Sequence, residues 1–209
     1  MKEFLATLRA QRMDDHRYYH HSRVNQALHL LSALSFLVAY ALLFVDPSMA
    51  ALVAWMISMP SRQAGHFFFE PKGYDEVNQA THEHKEEIKV GYNLRRKAVL
   101  MSLWAAIPLL LFLNRGFFGV FAPSTSWTAY LHDLGMLWLA LGLSALLLRT
   151  LHLFFLKDVL AGLAWMTKII TDPFHDIKLY HKSPIHLLRG EMIDPMQGRH
   201  GTDDTASPA

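Results

Sequence analysis

The apolar positions of this chain fall into blocks about as long as a bilayer core is thick, set between polar runs. Residues 27–45 (ALHLLSALSFLVAYALLFV) form the first block, close to the roughly 20 residues a helix needs to cross a membrane. Asp46, Pro47 and Ser48 then read as a turn, since Asp and Ser bond the local backbone and Pro presets it. Residues 48–69 make a second span only if the helix runs through Pro60, where a kink is expected. Pro71 and Gly73 end it, and a charged helix is expected over 77–90. Residues 98–116 and 130–149 form the third and fourth spans, joined by a loop rich in Gly, Ser, Thr and Pro.

The flanking segments are amphipathic. Residues 1–25 read as a charged helix with a thin apolar stripe of Leu5, Leu8 and Met13. Residues 151–171 are apolar but close on Lys157 and Asp158 and contain Lys168. Charges are costly at mid-bilayer, so an interfacial helix continuing from the fourth span is expected there. From 196 on, the chain reads as a disordered tail. The predicted fold is all-α: a single membrane domain over 1–195, an integral membrane four-helix bundle with cytoplasmic and interfacial helices.

Charge orients this plan. Basic residues crowd the N-terminal segment, the 60–97 loop and the C-terminal segment, while the 46–47 turn has none and the 114–129 loop has only Arg115. Lys and Arg favour the cytoplasmic side, so four spans with both termini cytoplasmic satisfy every loop. The compact size and the lack of a targeting segment point to a bacterial inner membrane.

Composition narrows the chemistry. The chain has 209 residues, 52% of them hydrophobic, and a net charge of +2. No basic stripe is interleaved with the aromatics, so nucleic acid is not an expected partner. With 0 cysteines there is no disulfide, Cys-ligated zinc or iron–sulfur cluster. There are 13 histidines, and any metal would be held by imidazole and oxygen.

The histidines sort to one side. His16, His20, His21 and His29 lie at the mouth of the first span, His66 at the end of the second, and His82 and His84 in the polar loop. Of the 13, only His132 falls on the far side. His21, Asn25 and His29 are spaced to share one helix face, as are Gln63, His66 and Glu70. Gly65 would let a neighbouring helix approach closely. Two polar faces at one depth, on helices joined by a tight turn, should meet, as in bundles that build metal sites from inward side chains. Each histidine also has a plainer reading: His29 as an interhelical hydrogen bonder, His82 and His84 as a solvated face, and His16, His20 and His21 as headgroup contacts. Imidazole with carboxylate and no thiolate suits iron, zinc or manganese. A site at membrane depth implies a lipid-soluble substrate, most simply an acyl chain.

The segment YYHHSRVNQALH (18–29), followed after a hairpin by RQAGHFFFE (62–70), resembles the fungal 2-hydroxy-palmitic acid dioxygenase family. The residues that carry it are His20, Asn25, His29, Gln63, Gly65, His66 and Glu70, within a match covering about 14–72. The chain departs from the family at Arg23, where members often carry Pro, and in the Pro-Lys-Gly-Tyr run after Glu70. The resemblance implies Fe(II)-dependent α-oxidation, in which a 2-hydroxy fatty acid is shortened by one carbon with O2. It implies His20, His29 and His66 as ligands, a fourth from His82 or His84, and Asn25, Gln63 and Glu70 as residues that orient the imidazoles.

Two other function classes compete. A di-iron lipid hydroxylase would also carry cytoplasmic histidine boxes, and His16, His20 and His21 mimic one such box. A non-enzymatic membrane scaffold or lipid-binding protein would use its histidines at headgroups.

Overall fold

The computed structural model describes residues 1–70 and 73–195. The expected tail from 196 and the helix stop at Pro71 lie outside the described residues. The described chain is helical: α1 (Lys2–Tyr19), α2 (Arg23–Leu42), α3 (Pro47–Val53), a π turn over Ala54–Ser58, and α4 (Met59–Phe68). There follow α5 (His82–Ile88), α6 (Leu94–Leu113), a 3-10 turn over Phe117–Gly119, α7 (Trp127–Leu156), α8 (Val159–Tyr180) and α9 (Ser183–Leu188).

Short polar side chains set where the helices begin. Ser22, Asp46, Asn93, Ser126 and Asp158 each accept a hydrogen bond from an amide that would otherwise be orphaned in the first turn. These caps correct the expected boundaries. The helix expected as the first span is Arg23–Leu42 rather than 27–45, and the one expected as the third is Leu94–Leu113 rather than 98–116. The fourth grows to Trp127–Leu156. The segment expected over 151–171 is the separate helix Val159–Tyr180, because Lys157 leaves helical geometry and Asp158 caps a new start. The charged helix expected over 77–90 shrinks to His82–Ile88, because Asp75 and Ala80 pair with each other in a turn at 2.9 and 3.2 Å.

The helix expected over 1–25 stops at Tyr19. Ser22 starts α2, and the side-chain amides of Asn25 and Gln26 donate to the carbonyls of Tyr19 and His20 at 2.7 and 2.8 Å. At Pro60 the ladder widens rather than breaks. Ala54–Ser58 wind as a π turn, with the Met59 amide bonded to the Ala54 carbonyl. That opens the turn which the proline ring would otherwise crowd.

Three helical stretches are long and apolar enough to cross a membrane: Arg23–Leu42, Arg95–Leu113 and Trp127–Leu156. Their outward faces carry exposed Leu34 and Val38 on α2, Leu109 and Leu113 on α6, and Leu143 and Leu147 on α7. Helix α2 packs on α3, α4 and α8, whereas α7 packs on α3, α6 and α8. The apolar core joins α3, the π turn, α6 and α7 through Ala51, Trp55, Leu111, Leu134 and Trp138. The Trp55 indole donates to the Trp138 carbonyl at 2.8 Å, and Trp138 donates to the Trp104 carbonyl at 3.1 Å. A Cβ at Gly135 would sit 2.4 Å from the Ser48 carbonyl oxygen, so only glycine allows α7 to approach the α3 backbone there.

Candidate metal centre

The break between α1 and α2 makes the site. It folds His20 back over the first turns of α2, so that its Nε2 lies 3.1 Å from the Nε2 of His29. The ring centroids of His20 and His66 are 5.2 Å apart, and those of His29 and His66 are 5.0 Å apart. One nitrogen from each of the three lies within 4.8 Å of the others. His20 and His29 are almost fully buried and His66 is 9% exposed. Three imidazoles from three elements thus converge: the α1–α2 link, α2 and α4.

Gly65 permits the convergence. A Cβ there would lie 2.0 Å from Asn25 Oδ1 and 3.4 Å from the His29 ring, so α2 and α4 meet at this residue without space for a methyl group.

The outward nitrogens are held by oxygen. His66 Nδ1 donates to Glu70 at 2.7 Å, and Glu70 in turn receives Lys89 at 2.9 Å. His20 Nδ1 donates to the Asp15 carbonyl at 2.9 Å. His29 Nδ1 is 3.5 Å from the Asp176 carboxylate, yet it has no aligned hydrogen bond. Burial, then the neighbouring His29, pushes His20 well below the usual histidine range, so it presents a neutral imidazole at neutral pH.

A buried ion network lies against this cluster. Arg62 bonds Asp176 at 2.9 Å and Asp172 at 3.3 Å. Lys168 bonds Asp172 at 2.8 Å and Asp15 at 3.0 Å. Burial opposes the charge on Asp15, but Lys168, with Arg62 behind it, holds its carboxyl well below the usual range. Tyr180 closes another side, its ring centroid 6.0 Å from that of His20 and its hydroxyl 3.0 Å from His16 Nδ1. Asp15, Lys168, Asp172, Asp176 and Tyr180 were not among the candidates read from the sequence. One signal for three of them was present: Lys168, Asp172 and Asp176 are at i, i+4 and i+8, one charged face on an apolar helix.

The remaining candidates fall elsewhere. His82 and His84 are exposed on α5, with His84 stacked edge-on against Tyr18. They are not brought into the trio, because α5 begins only at His82. His21 precedes α2 and so does not share a face with Asn25 and His29; it sits 3.9 Å from Asp75. Asn25 is fully buried beside the trio and binds the Tyr19 carbonyl, with its own Oδ1 unbonded. Gln63 is buried, with Oε1 also unbonded.

The tautomers test whether a cation fits. His20 donates through Nδ1, so its Nε2 is a lone pair. Without a metal, a neutral His29 donates through Nε2 to make the 3.1 Å contact. That turns the His29 Nδ1 lone pair toward the Asp176 carboxylate, acceptor against acceptor, inside the protein. A buried unsatisfied group of this kind costs about 1–3 kcal/mol. A cation bound by both Nε2 atoms removes the conflict, because His29 Nδ1 then carries its proton toward Asp176. The 3.1 Å separation is also close to the edge of a coordination shell with metal–nitrogen bonds of about 2.1 Å. The residues fit a metal. No family model, curated protein or solved structure matches the chain.

Proposed function

We propose that the chain is an integral membrane protein whose histidine trio holds iron and oxidises a fatty acyl substrate, most simply by shortening a 2-hydroxy fatty acid by one carbon with O2. The observation that carries the metal reading is the His20–His29 contact, whose proton bookkeeping for two neutral imidazoles closes with a cation between the two Nε2 atoms. The acyl substrate follows from location. In this reading His29 lies in the second turn of a helix apolar enough to cross a membrane, where an apolar chain would be the available reactant. The likeness of 18–29 and 62–70 to the fungal 2-hydroxy-palmitic acid dioxygenases supports the same reading.

In this reading His20, His29 and His66 hold the iron, which supplies oxygen activation when bound. Glu70 and the Asp15 carbonyl fix the rings of His66 and His20. Asp176 would accept from His29 Nδ1–H, and Arg62 balances Asp176 and Asp172. A cavity of about 620 Å³ is lined by Asp15, Tyr19 and Lys89, neighbours of the trio's partners, though none of the three histidines lines it. The overall reaction balances without an external reductant: the 2-hydroxy acid and O2 give the acid one carbon shorter, CO2 and water.

The topology belongs to the same proposal. Pro47–Phe68 is helical throughout and serves as the fourth crossing, making a four-helix bundle with both termini cytoplasmic in a bacterial inner membrane. A set of three imidazoles also suits zinc, so metal identity decides between an oxygenase and a hydrolytic site. The di-iron alternative is not carried forward. His16 is taken by Tyr180 and His21 faces Asp75, which leaves one ligand group among the described residues.

The test is turnover by iron-loaded, detergent-purified chain given 2-hydroxypalmitate and O2. The expected product is the saturated acid with fifteen carbons (roughly one per enzyme per catalytic cycle, on the stoichiometry above). Iron-loaded chain that makes none overturns the substrate.

A further inference from the structure

The second cavity of the molecule lies away from the histidines, between α6 and α7, with a volume of about 340 Å³. Its walls are two matching stripes. Helix α6 contributes Arg96, Val99 and Leu103 at i, i+3 and i+7, and α7 contributes Leu141, Ser144 and Leu148 at the same spacing. Ser144 and the adjacent Ala145 are small, and they leave the groove open between the larger residues. Val99 and Leu148 are 61% and 65% exposed, so the groove faces outward rather than into the core.

One end of this groove is positively charged and the rest is apolar. Arg95 and Arg96 line that end, and both are exposed. Among the described residues, neither forms an ion pair with a carboxylate. Arg149 lies within electrostatic reach of Arg96 and spends its own donors on the Val90 and Gly91 carbonyls. Like charges gathered without a counterion on an otherwise apolar helix pair call for an anion from outside the chain. Guanidinium groups suit phosphate because they present several donors in a plane. Basic pockets between membrane helices take phospholipid headgroups for this reason.

We propose that the α6–α7 groove binds an anionic phospholipid of the surrounding bilayer, one acyl chain lying between the helices and the phosphate on Arg95 and Arg96. The inference rests on the membrane reading but not on the metal or on any activity. The groove runs along two of the stretches apolar enough to span a bilayer, which selects a bilayer lipid over a water-borne anion. It shares no residue with the histidine trio.

The experiment uses the full chain purified in detergent. Retained lipid is quantified after exposure to mixed micelles of phosphatidylglycerol or phosphatidylcholine, alongside the thermal midpoint in each. The account expects a preference of roughly 30-fold for phosphatidylglycerol, the contribution of two basic side chains at a bilayer surface. The double variant Arg95→Gln/Arg96→Gln, both exposed positions, should bring the two lipids to parity while the midpoint in phosphatidylcholine stays put. Ala145→Leu, which fills the groove, should cut retention of both. Equal retention of the two lipids by the unaltered chain overturns the proposal, as does a preference that survives the double variant. Oleate that raises the midpoint where phosphatidylglycerol does not also overturns it, in favour of a free fatty acid. A chain that stays soluble without detergent overturns the membrane reading and this proposal together.

Discussion

The histidine centre and the tryptophan core both bury polar atoms, but they satisfy them differently. In the core, the indole N–H groups of Trp55 and Trp138 each find a backbone carbonyl on a neighbouring helix, and the Trp104 indole stacked on Trp138 is the one left open there among the described residues. At the centre, nearly every group is tied by side chains from elements far apart in sequence, yet His29 Nδ1 and Asn25 Oδ1 end without partners. The core leaves a single indole N–H open, whereas the centre leaves two polar atoms open around converging imidazoles, where an occupant would be bonded. The close helix contacts divide in the same way: Gly135 meets the backbone of Ser48 in the core, whereas Gly65 meets the polar side chains of Asn25 and His29 at the centre.

That contrast can be broken by substitution. The largest effect belongs to His66→Ala, which removes a ligand without disturbing the Trp core; stoichiometric metal should be lost by elemental analysis while the helical circular-dichroism signal is kept. Lys168→Met comes next, because it takes from Asp15 and Asp172 the cation they share and leaves Asp172 to Arg62; a cost of about 3–5 kcal/mol is expected in chemical denaturation, as for breaking a buried ion pair. Glu70→Gln keeps the shape but loosens the His66 ring, and metal affinity should fall about 10- to 100-fold by competition with a chelator. The smallest effect is in the core: Trp55→Phe loses one hydrogen bond, which should cost about 1 kcal/mol and leave metal content unchanged. A core variant that lowered metal content as much as Glu70→Gln would erase the distinction.

Much of the centre was legible in the sequence. The face carrying Asn25 with His29 follows from helical spacing, Glu70 reaches His66 from just past the end of α4 rather than from its face, and the tight turn at Asp46 brings α2 and α4 together. Gly65 was readable as a close-approach residue, and the collision awaiting a Cβ there bears this out. What spacing could not supply was His20 in place of His21. That choice depends on the chain leaving α1 at Tyr19, which the Asn25 and Gln26 amides fix from the following helix. The partners on α8 were harder still. Lys168 and Asp15 meet across 153 residues, and read alone Lys168 is a costly charge rather than half of a pair. His82 and His84 were drawn in by residue type, but their short helix leaves them in solvent.

The central claim is that a cation belongs between His20 and His29. Elemental analysis of detergent-purified chain, beside the His66→Ala variant prepared identically, tests it most directly. The account predicts iron at about one per chain, as one cluster of three imidazoles can hold, and its loss from the variant. Chain that folds, keeps its helical signal and binds no metal at stoichiometry would contradict it, as would metal retained undiminished by the variant.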